Sequence, residues 1–131
     1  MTERVTRGPV VAIDDDDPSI RSALHRLTRA LGYEAIMFDG AEPLLAELDE
    51  VEIALVVTDV QMPGLNGLEL LRILAKRRPG LPVMLMTAYP NEASHQRALA
   101  LGALAYCAKP FEAEHFERTL AAVLGPPPCS R

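Results

Sequence analysis

No apolar run in this chain approaches the ~20 residues a membrane helix needs. The N-terminus (Thr2, Glu3, Arg4, Thr6, Arg7) is polar and has no signal-peptide core, so the expected location is the cytoplasm. Sulfur is scarce. There are two cysteines, Cys107 and Cys129, with no CxxC and no Cys/His cluster, which argues against a disulfide staple or a zinc site and reads as two reduced thiols, Cys107 in the core. Positive charge is also short: 13 Lys and Arg against 18 Asp and Glu give a net charge of -5. Autonomous binding to nucleic acid or an anionic membrane usually shows a basic patch, so neither is expected. His25, His95 and His115 lack the mutual spacing of metal ligands. No internal repeat is present, and three prolines near the C-terminus are the one biased block.

What remains is a chain of 131 residues, 49% hydrophobic, enough for one globular domain whose core is flanked by helices on both sides. Short apolar runs alternate with amphipathic stretches. Strands are expected over 9–13, 34–38, 53–58, 82–86 and 104–107, and helices over 18–31, 41–48, 66–77, 91–101 and 112–124. Asp17 can cap the first helix and Pro18 suits its first turn. Asn66 with Glu69 reads as a capping box, and Gly32 and Gly102 suit helix stops. Five strands alternating with five helices imply an α/β fold, a doubly wound five-stranded parallel sheet of (βα)5 form with right-handed crossovers. The domain is expected to span 1–124, with 125–131 (GPPPCSR) a tail or linker stub.

In a parallel sheet all strand C-termini share one edge, where open α/β sheets place their ligands. The first strand leads into Asp14, Asp15, Asp16 and Asp17. The third ends at Asp59, before Met62-Pro63-Gly64. The fourth ends at Thr87, and Lys109-Pro110 follows the fifth. Carboxylates gathered together raise each other's pKa unless something positive sits among them. Mg2+, a hard cation that takes oxygen ligands, answers that need. Lys109 and the Thr87 hydroxyl are then placed to bind phosphoryl oxygens, and the carboxylate of Asp59 to accept a phosphoryl group. Taken singly, each residue has a bland reading. Asp59 alone is a strand-end carboxylate, Lys109 a solvated surface residue, Tyr106 a core aromatic, and the aspartate run a helix N-terminal charge cluster.

Taken as an ordered set, these residues resemble the receiver domain of bacterial two-component response regulators. The resemblance rests on Ile13 through Arg21 (IDDDDPSIR), Thr58 through Gly67 (TDVQMPGLNG), Met86-Thr87-Ala88, and Gly102-Ala103 through Lys109-Pro110-Phe111. It covers roughly 8–124. Separations of 43 from Asp16 to Asp59, 28 from Asp59 to Thr87 and 50 from Asp59 to Lys109 suit the family, most closely the branch that carries LuxR-type DNA-binding output domains.

That resemblance implies a flavodoxin-like strand order 2-1-3-4-5. It implies that Asp59 accepts phosphoryl from the phosphohistidine of a sensor histidine kinase. Asp16, Asp59 and the backbone carbonyl of Gln61 would ligate Mg2+, with Asp15 helping through water. Lys109 would pair with the phosphoryl oxygens, and Thr87 and Tyr106 would form the switch. The Lys109-Pro110 bond would be cis. The surface of the fourth helix, fifth strand and fifth helix would change on phosphorylation, regulate output, in the first place transcription, and offer a homodimer face. The domain would be a switch with self-catalysed transfer and hydrolysis, not a turnover enzyme.

One position departs from the family pattern. An apolar strand residue normally precedes the acidic pair, and here it is Asp14. Ile20 and Arg21 set the register with Asp15 and Asp16 as the pair, whereas a bulge shifting it by one would hand those roles to Asp14 and Asp15. A carboxylate at the end of a buried strand is costly, so Asp14 is expected to reach water, find a partner or be protonated. Three rival functions are weaker. A phosphatase of the haloacid dehalogenase type wants an acid two residues after the nucleophile, where Gln61 stands. A phosphorylation-independent adaptor has only Asp14 in its favour. A nucleotide- or flavin-binding fold lacks a Gly-rich loop after the first strand.

Overall fold

Leu55, Val56 and Val57 are all fully buried, and they point to alternate faces of one sheet. A strand covered on both faces has no solvent side, which is why this run is continuously apolar rather than alternating. The structure, a computed structural model, describes residues 10–126. Pro9, expected to begin the first strand, and Cys129 lie outside the described residues.

The elements run β1 (Val10–Asp14), α1 (Pro18–Ala30), β2 (Glu34–Phe38), α2 (Ala41–Glu47), β3 (Ile53–Asp59), α3 (Gly67–Arg77), β4 (Val83–Thr87), α4 (Glu92–Ala100), β5 (Ala105–Ala108) and α5 (Ala113–Leu124). All strand pairs are parallel, in the order β2-β1-β3-β4-β5. The pattern of five strands and five helices read from the sequence and the strand order implied by the resemblance are both met. Among the described residues no helix is long and apolar enough to cross a membrane.

Local signals in the sequence set the helix ends. Asp17 accepts from the amides of Ser19 and Ile20, with Pro18 following as the first helical residue of α1. Asn66 and Glu69 form a reciprocal capping box at α3. Gly32 and Gly102, at φ 98° and 94°, stop α1 and α4 in the left-handed conformation that only glycine adopts cheaply.

Two apolar layers cover the sheet. Leu24 of α1 and Phe116 and Leu120 of α5 pack on Val11, Ile13, Leu55, Val57, Met84 and Met86. On the opposite face α2, α3 and α4 bring Leu44, Leu48, Leu70, Leu71, Leu74 and Ala98 against Ala12, Val56 and Leu85. Each fully buried large side chain contributes roughly 1.5–3 kcal/mol. Leu70 of α3 is fully buried. Cys107 is a correction in the other direction: it is half-buried, beside His115, rather than a core residue.

Four strands run one residue past their expected ends, to Asp14, Asp59, Thr87 and Ala108. The reason is ladder pairing. Asp14 pairs with Phe38 and Thr58, Asp59 with Met86, and Thr87 with Ala108, so polar residues occupy the last rungs of a buried sheet. Hydropathy marks where the apolar run stops, whereas backbone hydrogen bonding decides where the strand stops.

Candidate functional site

The last rungs of β1, β3 and β4 lie side by side, so the polar residues ending these strands are brought together by the sheet itself. Asp15 leaves β1 with its amide still bonded to the Phe38 carbonyl at 3.3 Å. The Asp17 amide turns back onto Asp15 Oδ1 at 2.9 Å, and the Asp17 carboxylate is taken up by the α1 cap. Arg21 Nη1 donates to the Asp15 carbonyl at 2.6 Å. Asp16 is left exposed at the edge. These bonds settle the geometry of the aspartate run. Carboxylate oxygens of Asp15, Asp16 and Asp59 lie within 4.8 Å of one another, and Asp14 is not in that group.

Asp59 is 6% exposed. Its Oδ1 accepts the Gln61 amide at 3.2 Å and its Oδ2 accepts Lys109 Nζ at 2.9 Å. Burial pushes its pKa above the ordinary carboxylate range and the Asp15 charge adds to that, while Lys109 pulls it back. Lys109 also lies 2.9 Å from Asp15 Oδ2. Burial alone would lower the lysine's pKa, but its hydrogen bonds and charge contacts with Asp15 and Asp59 raise it above the usual value. The ammonium is thus firmly charged, and it is the cation that allows two buried acids to sit together. Its position comes from β5: the Lys109 amide bonds to the Thr87 carbonyl at 2.8 Å, and the Lys109-Pro110 peptide is cis.

The loop after Asp59 folds tightly against it. Gly67, the first residue of α3, donates its amide to the Val60 carbonyl at 2.9 Å. A Cβ on Gly67 would stand 2.3 Å from the Asp59 carbonyl oxygen, a position no side chain can share. The same loop lines a cavity of about 420 Å³ bordered by Asp16, Val60, Gln61, Met62, Pro63 and Asn66.

Thr87 is fully buried at the end of β4. Its hydroxyl accepts the Tyr89 amide at 3.0 Å and donates to Gln61 Oε1 at 2.6 Å. Tyr106, on β5, is half-buried. Its hydroxyl accepts the Asn91 amide at 3.3 Å and bonds to Ser94 Oγ, and its ring stacks on His95 with centroids 4.8 Å apart. Tyr106 is therefore held by the first turn of α4. Nothing in the sequence pointed to the Gln61 side chain, Ser94 or His95. The nearest signals are that Gln61 lies two residues after Asp59 and that Ser94 follows the helix cap Asn91 by one turn.

Asp14 faces none of this. It is 0% exposed, and neither carboxylate oxygen has a hydrogen-bond partner. Burial, with the charges of Asp15 and Asp39, raises its pKa to about 7; the Gly40 amide and Arg21 oppose the shift without reaching good hydrogen-bond geometry. Buried and without a hydrogen-bond partner, Asp14 is the acid of the run that its surroundings push toward the protonated form.

The donor set of Asp15, Asp16 and Asp59 is all oxygen, carries excess negative charge and opens to solvent at Asp16, so it fits a hard divalent cation. Comparison with known proteins agrees with the fold. The family model of the response regulator receiver domain matches residues 11–121. The chain is 36% identical over 107 residues to the transcriptional regulatory protein FixJ of Bradyrhizobium diazoefficiens, covering 82% of this chain and 52% of FixJ. It is 41% identical over 103 residues to the response regulator protein FleR of Pseudomonas aeruginosa, covering 79% of this chain and 22% of FleR. It thus spans about half the length of one curated relative and about a fifth of the other. Among solved structures, the chemotaxis protein CheY4 of Vibrio cholerae superposes with a TM-score of 0.83 at 26% identity, over 89% of this chain and 99% of that one. A match across nearly the whole sheet, at this level of identity to full regulators, identifies the chain as a member of the response regulator receiver domain family of two-component systems.

Proposed function

We propose that this domain is a phosphorylation-dependent switch in which Asp59 accepts a phosphoryl group from the phosphohistidine of a sensor histidine kinase. The observation that carries the reading is Lys109 Nζ, 2.9 Å from Asp59 Oδ2 and equally close to Asp15 Oδ2, in a site of otherwise negative charge. In the transfer, an Asp59 carboxylate oxygen attacks phosphorus, the P–N bond breaks, and the departing imidazole takes up a proton. Lys109 is positioned to pair with the phosphoryl oxygens as negative charge gathers there. The Thr87 hydroxyl, at the adjacent strand end, is the group that turns toward the new phosphoryl oxygen, and Tyr106 is the aromatic that follows it. Asp15, Asp16, Asp59 and the Gln61 backbone carbonyl are the residues that would hold Mg2+. That ion, when bound, supplies charge neutralisation between the acids and the incoming phosphoryl group.

Family membership supports the rest of the reading. The domain spans 1–124, with 125–131 a tail or linker stub. It works in the cytoplasm and is not a turnover enzyme, since its chemistry is confined to its own phosphotransfer and hydrolysis. The face built by α4, β5 and α5 carries the change to the output, in the first place transcription, and is the face for a homodimer. The domain itself does not contact nucleic acid.

The test is incubation with acetyl phosphate and Mg2+, followed by intact-mass measurement. One phosphoryl adduct is expected in the native chain and none in Asp59→Asn. No adduct on the native chain favours the adaptor reading, and rapid steady turnover of a small phosphate ester favours a phosphatase.

A further inference from the structure

We infer that the Gln61 side chain is a clasp that holds the Thr87 hydroxyl in its resting position and sets how hard the switch is to throw. The inference rests on the phosphoacceptor reading above and adds a residue to it.

A threonine hydroxyl has one proton to donate. Here that proton is spent on Gln61 Oε1, at 2.6 Å, while the oxygen lone pairs take the Tyr89 amide at 3.0 Å. Thr87 is fully buried, so its hydroxyl relies on protein partners. It therefore has two competing acceptors for a single proton: the Gln61 amide oxygen now, and a phosphoryl oxygen on Asp59 once one is present. The two bonds exclude each other.

Gln61 is well placed to compete. Its backbone amide donates to Asp59 Oδ1 at 3.2 Å, so the main chain of residue 61 is tied to the phosphoacceptor while its side chain reaches Thr87. The side chain is exposed on its outer side, and no other hydrogen bond holds it among the described residues. It bears no packing load in the core, which makes it free to let go. The cost of switching then includes breaking this one bond. A residue with no acceptor at position 61 would leave Thr87 ready for the phosphoryl group. Gln61 acts through Thr87 and is a positioning residue, distinct from the role of its own backbone carbonyl.

The experiment is a double-mutant cycle read by titration with beryllofluoride, a phosphoryl mimic, in saturating Mg2+, followed by NMR of the amides beside Thr87. The four proteins are the native chain, Gln61→Leu, Thr87→Ala and the double variant. Gln61→Leu keeps the size and the backbone and removes the acceptor. It is expected to bind beryllofluoride roughly three- to tenfold more tightly, the range for one net hydrogen bond. In the Thr87→Ala background the same change is expected to have no effect. Gln61→Glu, which restores an acceptor oxygen, is expected to bring the Thr87 amide shifts back toward the native resting values.

Equal or weaker binding in Gln61→Leu overturns the clasp, as does an equal gain in the absence of the Thr87 hydroxyl. Should Gln61→Leu fail to fold, Gln61→Ala at this exposed position answers the same question. Absence of beryllofluoride binding by the native chain overturns the phosphoacceptor reading, and the clasp with it. Binding by the native chain with no coupling between 61 and 87 overturns the clasp alone.

Discussion

Lys109 and Asp59 meet at 2.9 Å although 50 positions separate them in the chain. Lys109 is 11% exposed at its side chain and Asp59 8%, and the same ammonium holds Asp15, 1% exposed. One cation therefore permits two buried acids. Replacing it by methionine strands both. In Lys109→Met the Asp59 pKa is expected to rise further, the fraction ionised at neutral pH to fall, and the acetyl phosphate adduct to drop at least about tenfold at fixed time. Stability at pH 8 without metal is expected to fall by roughly 3 kcal/mol, the low end for breaking a buried pair. Intact mass and urea denaturation read the two effects. An unchanged adduct yield would show that the lysine is structural only.

Asp14 makes a pH prediction whose sign is fixed by its surroundings. Its folded pKa of about 7 lies above the unfolded value of 3.8. Between those values the folded chain holds a proton that the unfolded chain has released, so stability from this group is fully present below 3.8 and is lost as pH rises to about 7. The loss is on the order of 4 kcal/mol by the linkage relation. Asp14→Val is expected to remove that slope, to be more stable than the native chain at pH 8, and to keep its phosphoryl adduct. Urea denaturation from pH 4 to 8 with EDTA measures the difference. Loss of Mg2+ binding in the variant would contradict the choice of Asp15 and Asp16 as the acidic pair.

Gly67→Ala places a methyl where the Asp59 carbonyl oxygen already stands, 2.3 Å from the Cβ position, with the Val60 Cα at 3.0 Å. Both neighbours are backbone and neither can swing aside. The start of α3 must shift away from the end of β3, at a cost of about 1–3 kcal/mol. Because Gln61 lies on the intervening loop, slower phosphorylation by acetyl phosphate is expected alongside the lower denaturation midpoint. A variant with native midpoint and native rate would mean the loop relaxes freely.

Tyr106→Phe removes the hydroxyl that accepts the Asn91 amide and bonds Ser94, while leaving the ring on His95. The first turn of α4 is expected to open more easily, with amide exchange at Asn91 and its neighbours faster by roughly three- to tenfold, the equivalent of one net hydrogen bond. Adduct formation is expected to persist, since nothing in that contact touches Asp59. Hydrogen exchange by NMR checks the first part and intact mass the second. Unchanged exchange at Asn91 would show that α4 is held by other contacts.

The fold was legible because each of its signals is local. Alternating apolar runs and amphipathic stretches, with Asp17, Asn66, Gly32 and Gly102 as punctuation, place all ten elements in order. Boundaries were less legible. Hydropathy ends the third strand at Thr58, yet the ladder carries it on to Asp59, because a buried sheet edge tolerates a polar side chain when its backbone bonds are made. The positions of Asp15, Asp16, Asp59, Thr87 and Lys109 were legible too, as chemically loaded residues after apolar runs.

Side-chain partnership was not legible. Four aspartates in a row look alike in sequence, and the sequence alone left their register open between two choices. Asp17 was legible as the cap of α1, but only the folded backbone separates the other three: Asp14 goes into the sheet without a partner, Asp15 to Lys109 and Asp16 to the edge. Gln61 on Thr87, and Ser94 and His95 on Tyr106, arise from loops and helices meeting across the sheet edge, and such long-range contacts leave no periodicity to read. The sequence by itself determined the order of elements, the residue types at the strand ends and the family, because these follow from local pattern and spacing. The tertiary structure decided which acid is paired, which is stranded and which hydroxyl is held, because those depend on burial and on distances between residues far apart in the chain.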